Sequence, residues 1–362
     1  MPNPVTIELR GVEFVNKGAE LMLHAIKAAV AGFDRPVRLV METSPRATKI
    51  QIRAAGLLPK SRFGLFDDVK ESEVDMILDA SGFAYGDTWG AKKANRRLGA
   101  HIRRWKQAGK TVILLPQAFG PFRVPELRKE MAVIFKEADR VYVRDSVSMR
   151  HVRGIYDGPN IIQKPDFTNL VSSIVPKNPA DFAERVAVIP NIKMIEAVPK
   201  GGPGYIDTMA GILAAIRKEG REPFLLLHEA DKDVEVAKLI NATQAVPLQV
   251  VAETHPLLIK GIIGASYAVV TSRFHGLVSA LSQGVPCIAT SWSHKYEELL
   301  AEYDYPQGLI GKDTDVLARV AAMLDAGVQQ AEREHLKVKA MGYKDDSKRL
   351  WTEIESLLPT GQ

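Results

Sequence analysis

The hydrophobic pattern of this chain alternates between two periods along its whole length. Short apolar runs rich in β-branched residues are followed by stretches in which apolar residues recur every three or four positions. The first pattern is typical of buried strands and the second of amphipathic helices. Their alternation predicts a doubly wound α/β protein with parallel sheets.

The apolar runs fall into two groups. They predict strands at Val5–Leu9, Val37–Met41, Asp75–Leu78, Thr111–Leu115 and Arg140–Val143, then at Val186–Ile189, Phe224–Leu227, Ala268–Thr271 and Cys287–Ala289. Helical patterns begin near Gly18, Glu126 and Asp345. A linker across residues 172–184 predicts Rossmann-like domains over 1–175 and 183–342, with a last helix over 343–362 as a candidate to pack back on the first. We expect the two domains to face a cleft, because ligands bind beyond the carboxyl ends of such strands.

Composition narrows the class of protein. A length of 362 residues suits two hydrophobic cores, and 46% hydrophobic with 25% charged residues is the balance of a folded globular protein. The single cysteine, Cys287, excludes an internal disulfide and a cysteine-rich metal site, and we expect neither metal nor cofactor. Because the sequence shows no signal-peptide pattern and no membrane span, we expect a cytoplasmic protein.

Charge is mild overall but concentrated in one helix. The formal net charge of +5 does not indicate a nucleic-acid partner. Residues 91–106, however, predict a helix with Ala91, Ala94, Leu98, Ile102 and Trp105 on one face and basic side chains opposite. This basic face is either a solvated surface or a peripheral contact with an anionic membrane, where each basic residue gains about 1 kcal/mol.

The strongest candidate chemistry follows the predicted strand at Ala268–Thr271. Ser272, Arg273 and His275 lie where that strand ends and an apolar helix begins. A helix start favours anions, and an arginine there adds a fixed positive charge, so a phosphate or carboxylate is the expected guest. Histidine titrates near neutral pH, which makes His275 a candidate proton donor or acceptor. The alternative is that Arg273 pairs with a surface acid and His275 caps its helix.

Two further cations follow strands. Arg144 has the planar fork that suits a carboxylate or phosphate, although an ordinary structural ion pair is an equal alternative. Lys295 is either part of the anion site or a solvated helix residue. The neighbouring Asp145 or Ser146 can cap the helix that follows.

Three loops after strands complete the candidate site. They carry Asn16, Gly18 and Glu20, then Tyr85 and Asp87, and then Gln117. The first lacks the glycine spacing of a dinucleotide fingerprint and of a P-loop. In the other two, glycines beside aromatics either let a sugar ring approach or serve packing alone.

These segments, in this order, resemble the polysaccharide pyruvyl transferase family. The matching features are the Asn16–Gly18 loop, the glycine turn before Asp87, Gln117 through Pro121, Arg144 through Ser148, the Arg273-x-His275 segment and Lys295. Glu20 stands where many members have aspartate, and Pro116 stands where a glycine is usual.

The resemblance implies a GT-B-like fold, phosphoenolpyruvate as donor, and a ketal formed on a hexose of a surface polysaccharide or its lipid-linked precursor. It implies that Arg144, Arg273 and Lys295 bind the donor, with Ser272 beside them, and that His275 acts as acid or base. The residues of the three loops are expected on the acceptor side.

Two other classes of function stay open. A nucleotide-sugar glycosyltransferase of the same fold is one, because Gly284 and Pro286 with Glu297 or Glu298 loosely satisfy its donor pattern. A non-catalytic module that binds polysaccharide or membrane through the basic helix is the other.

Overall fold

The computed structural model describes residues 3–61, 68–196, 204–290, 294–311 and 314–359. Contacts between residues divide the chain into two compact units. The first is built from the described residues of 1–15, 22–167 and 345–362, and the second from those of 16–21 and 168–344. The break thus falls before the segment 172–184 that the sequence indicates. The short segment 16–21 belongs with the second unit.

The first unit is formed around one parallel sheet. Its elements are β1 (Val5–Arg10), α1 (Lys17–Val30, shared with the second unit), β2 (Val37–Glu42), α2 (Lys49–Ala54), β3 (Leu58–Ser61), β4 (Val69–Lys70), β5 (Met76–Asp79), α3 (Gly90–Ala94), a π-helical turn (Asn95–Gly99), α4 (Ala100–Gln107), β6 (Thr111–Gln117), α5 (Pro125–Glu137), β7 (Arg140–Val143), α6 (Ser146–Arg153) and β8 (Ile161–Gln163). The eight strands are ordered β4-β3-β2-β1-β5-β6-β7-β8. Trp105 and Phe135 pack into its core and are at most 1% exposed.

The second unit has a six-stranded parallel sheet. Its elements are α7 (Ala180–Ala183), β9 (Arg185–Ile189), α8 (Lys193–Glu196), α9 (Tyr205–Lys218), β10 (Glu222–Leu226), α10 (Ala230–Ala242), β11 (Val250–Val251), α11 (Pro256–Ala265), β12 (Ala268–Thr271), α12 (Phe274–Leu281), β13 (Cys287–Thr290), α13 (His294–Glu302), β14 (Leu309–Ile310), α14 (Val316–Leu324) and α15 (Ala326–Ser356, shared with the first unit). The order β11-β10-β9-β12-β13-β14 brings the carboxyl ends of β10, β9, β12 and β13 to one edge.

The predicted doubly wound α/β class with two parallel sheets is confirmed. The sequence did not predict five of the strands, β3, β4, β8, β11 and β14, and two helices differ from their predicted form. The sequence predicted a regular helix over 91–106, but a π-helical turn interrupts it, and the last helix begins at Ala326 rather than near Asp345. The apolar face predicted for this segment does pack into the core, since Ala94, Leu98 and Ile102 are fully buried. No helix among the described residues is long and apolar enough to cross a membrane.

Candidate active site in the second unit

The turn between β12 and α12 is fixed by its own hydrogen bonds. The hydroxyl of Thr271 accepts from the backbone N–H of Arg273 at 3.0 Å and donates to the carbonyl of Arg273 at 3.1 Å. Arg273 itself occupies the N-cap position of α12 in an extended conformation. The side chains of Arg273 and His275 are therefore placed where the first amides of α12 lack helical partners, a position that favours anions.

The guanidinium of Arg273 is held by two buried carboxylates. Nη1 donates to Glu229 at 3.0 Å and Nη2 to Asp233, and the whole arginine is 8% exposed. Both acids follow β10, and neither is a surface residue, so the ion pair differs from the surface pairing that the sequence left open. One arginine against two carboxylates does not supply the uncompensated positive charge expected from the sequence. Burial raises the pKa of Asp233, while the nearby Arg273 opposes that rise.

His275 lies against the loop at the start of α1. A Cβ built on Gly18 would collide with Nδ1 of His275 and would lie 3.0 Å from Cγ and 3.1 Å from Cε1. A side chain at position 18 would therefore force the imidazole to shift, so the loop that follows β1 lies against the candidate acid/base.

The same loop is ordered by its polar side chains. The side-chain oxygen of Asn16 accepts from the N–H of Gly18 at 2.9 Å and from the N–H of Ala19 at 3.4 Å. Lys17 and Glu20 form an ion pair of 2.6 Å. Asn16 and Glu20 therefore shape and charge the helix start that carries Gly18.

His228 is a residue of this cluster that the sequence analysis missed. It is 5% exposed, and its Nδ1 has no hydrogen-bond partner among the described residues. Burial lowers the pKa of His228 well below its usual value, and the charges of Arg273, His275 and Lys17 lower it further. The imidazole is therefore neutral near pH 7. Its position directly after an apolar strand, as for Arg273, was the available signal.

Lys295 and His275 both lie close to the aromatic ring of Phe274. Its ammonium nitrogen is 5.1 Å from the ring centroid of Phe274 and 5.7 Å from that of Tyr296. The ring of Phe274 in turn meets the imidazole of His275 edge-on, at 5.6 Å between centroids. These contacts bring Lys295 into the neighbourhood of the β12–α12 turn.

Ser272 supports this turn from inside. Its hydroxyl is 2.7 Å from that of Tyr205 and 2.6 Å from that of Thr290, and the residue is 0% exposed. Its carbonyl accepts from Asn191 and from Tyr296, both at 2.9 Å. The polar atoms of Ser272 are therefore engaged within the unit, and its contact with the donor stays a prediction.

The expected acceptor-side residues Tyr85 and Gln117 are both fully buried in the first unit. The hydroxyl of Tyr85 donates to Asp79 at 2.7 Å, and the amide of Gln117 donates to the same carboxylate at 3.3 Å. The ring of Tyr85 packs on Phe119, with centroids 6.0 Å apart. The burial of Tyr85 agrees with the alternative that its aromatic ring serves packing, and contact of this ring with a sugar stays a prediction.

The other predicted residues of the first unit make local contacts. Arg144 pairs with the buried Asp166 at 3.1 Å and is 4% exposed. Of the two residues predicted to cap α6, Asp145 does so, because its carboxylate accepts from the N–H of Ser148 at 2.7 Å. Asp87 accepts from the N–H groups of Arg123 and Val124.

Comparison with known proteins gives one family and a set of similar folds. The model of the family described as "Polysaccharide pyruvyl transferase" matches residues 16–294. No curated protein matches the chain.

Solved structures match in fold at low sequence identity. A pneumococcal O-GlcNAc transferase in complex with UDP and GlcNAc has a TM-score of 0.62 at 8% identity over 98% of this chain and 99% of its own. A putative UDP-N-acetylglucosamine 2-epimerase from Listeria monocytogenes has a TM-score of 0.61 at 12% identity, over 98% and 96%. A mutant O-GlcNAc transferase from Thermobaculum terrenum has a TM-score of 0.50 at 12% identity, and the match spans 98% of this chain but 66% of that one. These are GT-B glycosyltransferases and epimerases, and the likeness shows the fold alone.

Proposed function

Because this chain belongs to the polysaccharide pyruvyl transferase family, we propose that it transfers the pyruvyl group of phosphoenolpyruvate onto two hydroxyls of a hexose. The acceptor is part of a surface polysaccharide or of its lipid-linked precursor. The observation that carries the proposal is the packing of Gly18 against His275, with Arg273 and Lys295 nearby. The family match runs from residue 16 to residue 294, so it includes Gly18 and the whole β12–α12 turn and ends directly before Lys295.

The reaction has a simple atom balance. A proton added to the methylene carbon of phosphoenolpyruvate makes the carbon that bears phosphate oxocarbenium-like. One sugar hydroxyl attacks that carbon, phosphate leaves, and the second hydroxyl closes the ketal. Of the two hydroxyl protons released, one replaces the proton spent on the new methyl group and the other ends on phosphate.

His275 moves the proton in this proposal. It follows the cap of α12 and lies beside the loop at Gly18, so one imidazole is next to both a helix start and the first segment of the family match. A positioned acid or base contributes about a hundred- to ten-thousand-fold to rate. The neutral His228 nearby adds a second imidazole that offers a hydrogen bond without adding charge.

Donor binding draws on more than Arg273. The charge of Arg273 is compensated by Glu229 and Asp233, so the incoming carboxylate and phosphate depend on Lys295, on the first amides of α12 and on His275. Arg144 is a further donor-binding candidate, and its burial with Asp166 means that this pair must open or share the ligand. Contact of the basic helix with an anionic membrane stays a prediction.

The test is a product assay with matched variants. Incubation with phosphoenolpyruvate and hexosides should release phosphate and give a product with the mass of a pyruvyl ketal. His275→Ala should lower turnover by about a hundred- to ten-thousand-fold. His255→Asn, which replaces an exposed histidine at a helix cap with another good capping residue, is the control.

The rival glycosyltransferase gives a different ligand response. Gly284, part of its loose sequence pattern, has φ of +69° in the turn before β13 and packs against Arg333 and Lys337 of α15, which is sufficient reason for a glycine. Stabilisation against heat by a UDP- or GDP-sugar, with none by phosphoenolpyruvate, would overturn the proposal in favour of that rival.

A further inference from the structure

A charged cavity lies in the first unit, and none of the residues assigned above lines it. It has a volume of about 540 Å³, which is within the range of small-molecule sites. Its walls are the carboxyl ends of β1 and β2, the residues that follow them, and the basic helix. Neighbouring parallel strands commonly bind ligands at this edge.

The lining of this cavity is strongly basic. Its cationic side chains are Arg10, Arg46, Lys93, Arg96 and Arg97, and its anionic side chains are Glu13 and Glu42. The cavity therefore carries three more positive than negative side chains, whereas the whole chain of 362 residues carries an excess of only five.

Ion pairs account for only part of this charge. Arg10 bonds Glu8 at 2.9 Å and Glu42 at 3.0 Å, and Arg46 pairs with Glu13 at 2.7 Å. Among the described residues, Lys93 meets only the ring of Trp89, at 3.6 Å from its centroid, and Arg96 makes no ion pair or hydrogen bond. Arg97 donates to the hydroxyl of Ser81 and makes no ion pair among the described residues. Within the described lining, Lys93 and Arg96 are thus the two cations that have neither a carboxylate nor a hydrogen-bond partner.

Ion pairs along the basic helix are formed by residues that do not line the cavity. Farther along, Arg104 pairs with Glu71 at 2.6 Å and Lys106 with Asp139 at 2.6 Å, so those charges are already compensated. The pKa of Lys93 is lowered by burial and by Arg97, Arg96 and Arg46, which together outweigh Glu13. Such repulsion is relieved when an anion enters.

From this geometry we propose that the cavity bordered by Arg46, Lys93 and Arg96 is a binding site for a phosphate ester. A phosphate ester has the charge and the several acceptor oxygens that clustered arginine and lysine side chains bind. The source of the ester is either a soluble sugar phosphate or a phosphate at a bilayer surface. The site itself does not depend on the proposed function. The idea that this ester is part of the sugar acceptor does rest on it.

The experiment uses the full-length protein and two matched double variants. K93Q with R96Q removes two charges of the cavity, and K92Q with R103Q removes two from the same helix outside it. Calorimetric titration with glucose 1-phosphate, with methyl glucoside as the neutral control, tests the soluble source. Sedimentation with phosphatidylglycerol vesicles, compared with phosphatidylcholine vesicles, tests the bilayer source.

We expect the cavity variant to bind the phosphate ester at least tenfold more weakly, and the control variant to bind as the parent does. Loss of binding in either arm that is confined to the cavity variant supports the site and identifies its source. No binding in both arms, or equal binding by the two variants, overturns it. Because no phosphoenolpyruvate is present, a failure here is distinct from a failure of the pyruvyl transfer assay.

Discussion

Gly18 lies so close to the imidazole of His275 that position 18 has no room for a side chain. The two residues are 257 positions apart in the sequence, yet both belong to the second unit. The backbone at position 18 therefore bounds one side of the imidazole.

Gly18→Ala should displace this imidazole. We expect turnover to fall by about a hundredfold, because a misplacement of about 1 Å costs a catalytic group on that scale. Far-ultraviolet circular dichroism should be unchanged. Gly342→Ala is the control, since a Cβ there meets nothing within 4 Å and alanine favours a helix. Full activity of Gly18→Ala would show that the position of His275 does not matter for the reaction.

Arg273→Met should destabilise the protein as well as inactivate it. The change leaves Glu229 and Asp233 buried together without their cation, and breaking a buried pair in this way costs about 3–5 kcal/mol. Urea unfolding measures the loss. The triple variant with Glu229→Gln and Asp233→Asn should recover most of the stability without activity. If the single and triple variants are equally unstable, the unpaired carboxylates of Glu229 and Asp233 do not cause the loss of stability.

Lys295→Met tests donor binding with little structural cost. Lys295 is half-buried and rests on aromatic rings that methionine also packs against. We expect KM for phosphoenolpyruvate to rise at least tenfold, because a charged hydrogen bond is worth about 1.5–3 kcal/mol. The exposed Lys218→Met is the matched control. An unchanged KM would remove Lys295 from the donor site.

His228 should make the protein less stable in acid. Its folded-state pKa lies well below the unfolded value of about 6.5, so the unfolded chain binds a proton that the folded chain refuses. Stability is therefore fully present above about pH 6.5 and falls below it, by at most about 1.4 kcal/mol per pH unit.

This acid sensitivity is checked by urea unfolding at pH 7.5 and pH 5.5. His228→Gln should reduce the difference between the two free energies of unfolding, whereas His255→Asn at an exposed site should preserve it. A difference that persists in full in His228→Gln would contradict a neutral, buried His228.

The central strands were predictable from the sequence because they are buried on both faces. Arg140–Val143 and Ala268–Thr271 match their predicted bounds, since a strand covered on both sides is a continuous apolar run. Among the strands that the sequence missed, Val69–Lys70 and Val250–Val251 have two residues each and lie at sheet edges. Such short segments carry no period, so only pairing with a neighbour defines them.

The candidate site was predictable in position but not in charge. The end of a parallel strand placed Arg273 and His275 correctly beside a helix start. Glu229 and Asp233 lie 40 or more residues earlier, and their pairing with Arg273 follows from the order of β10, β9 and β12 in the sheet. The burial of Tyr85 likewise depends on Phe119 and Asp79, which the loop sequence alone does not bring to it.

Residues 16–21 belong to the second unit, and this matters for chimeras made from the N-terminal half of one family member and the C-terminal half of another. A chimera joined near Thr168 would combine the histidine of one parent with the opening loop of the other. Such hybrids should be active only when residues 16–21 come from the same parent as the C-terminal half. The smallest unit that can be exchanged is therefore encoded by two separate stretches of the gene.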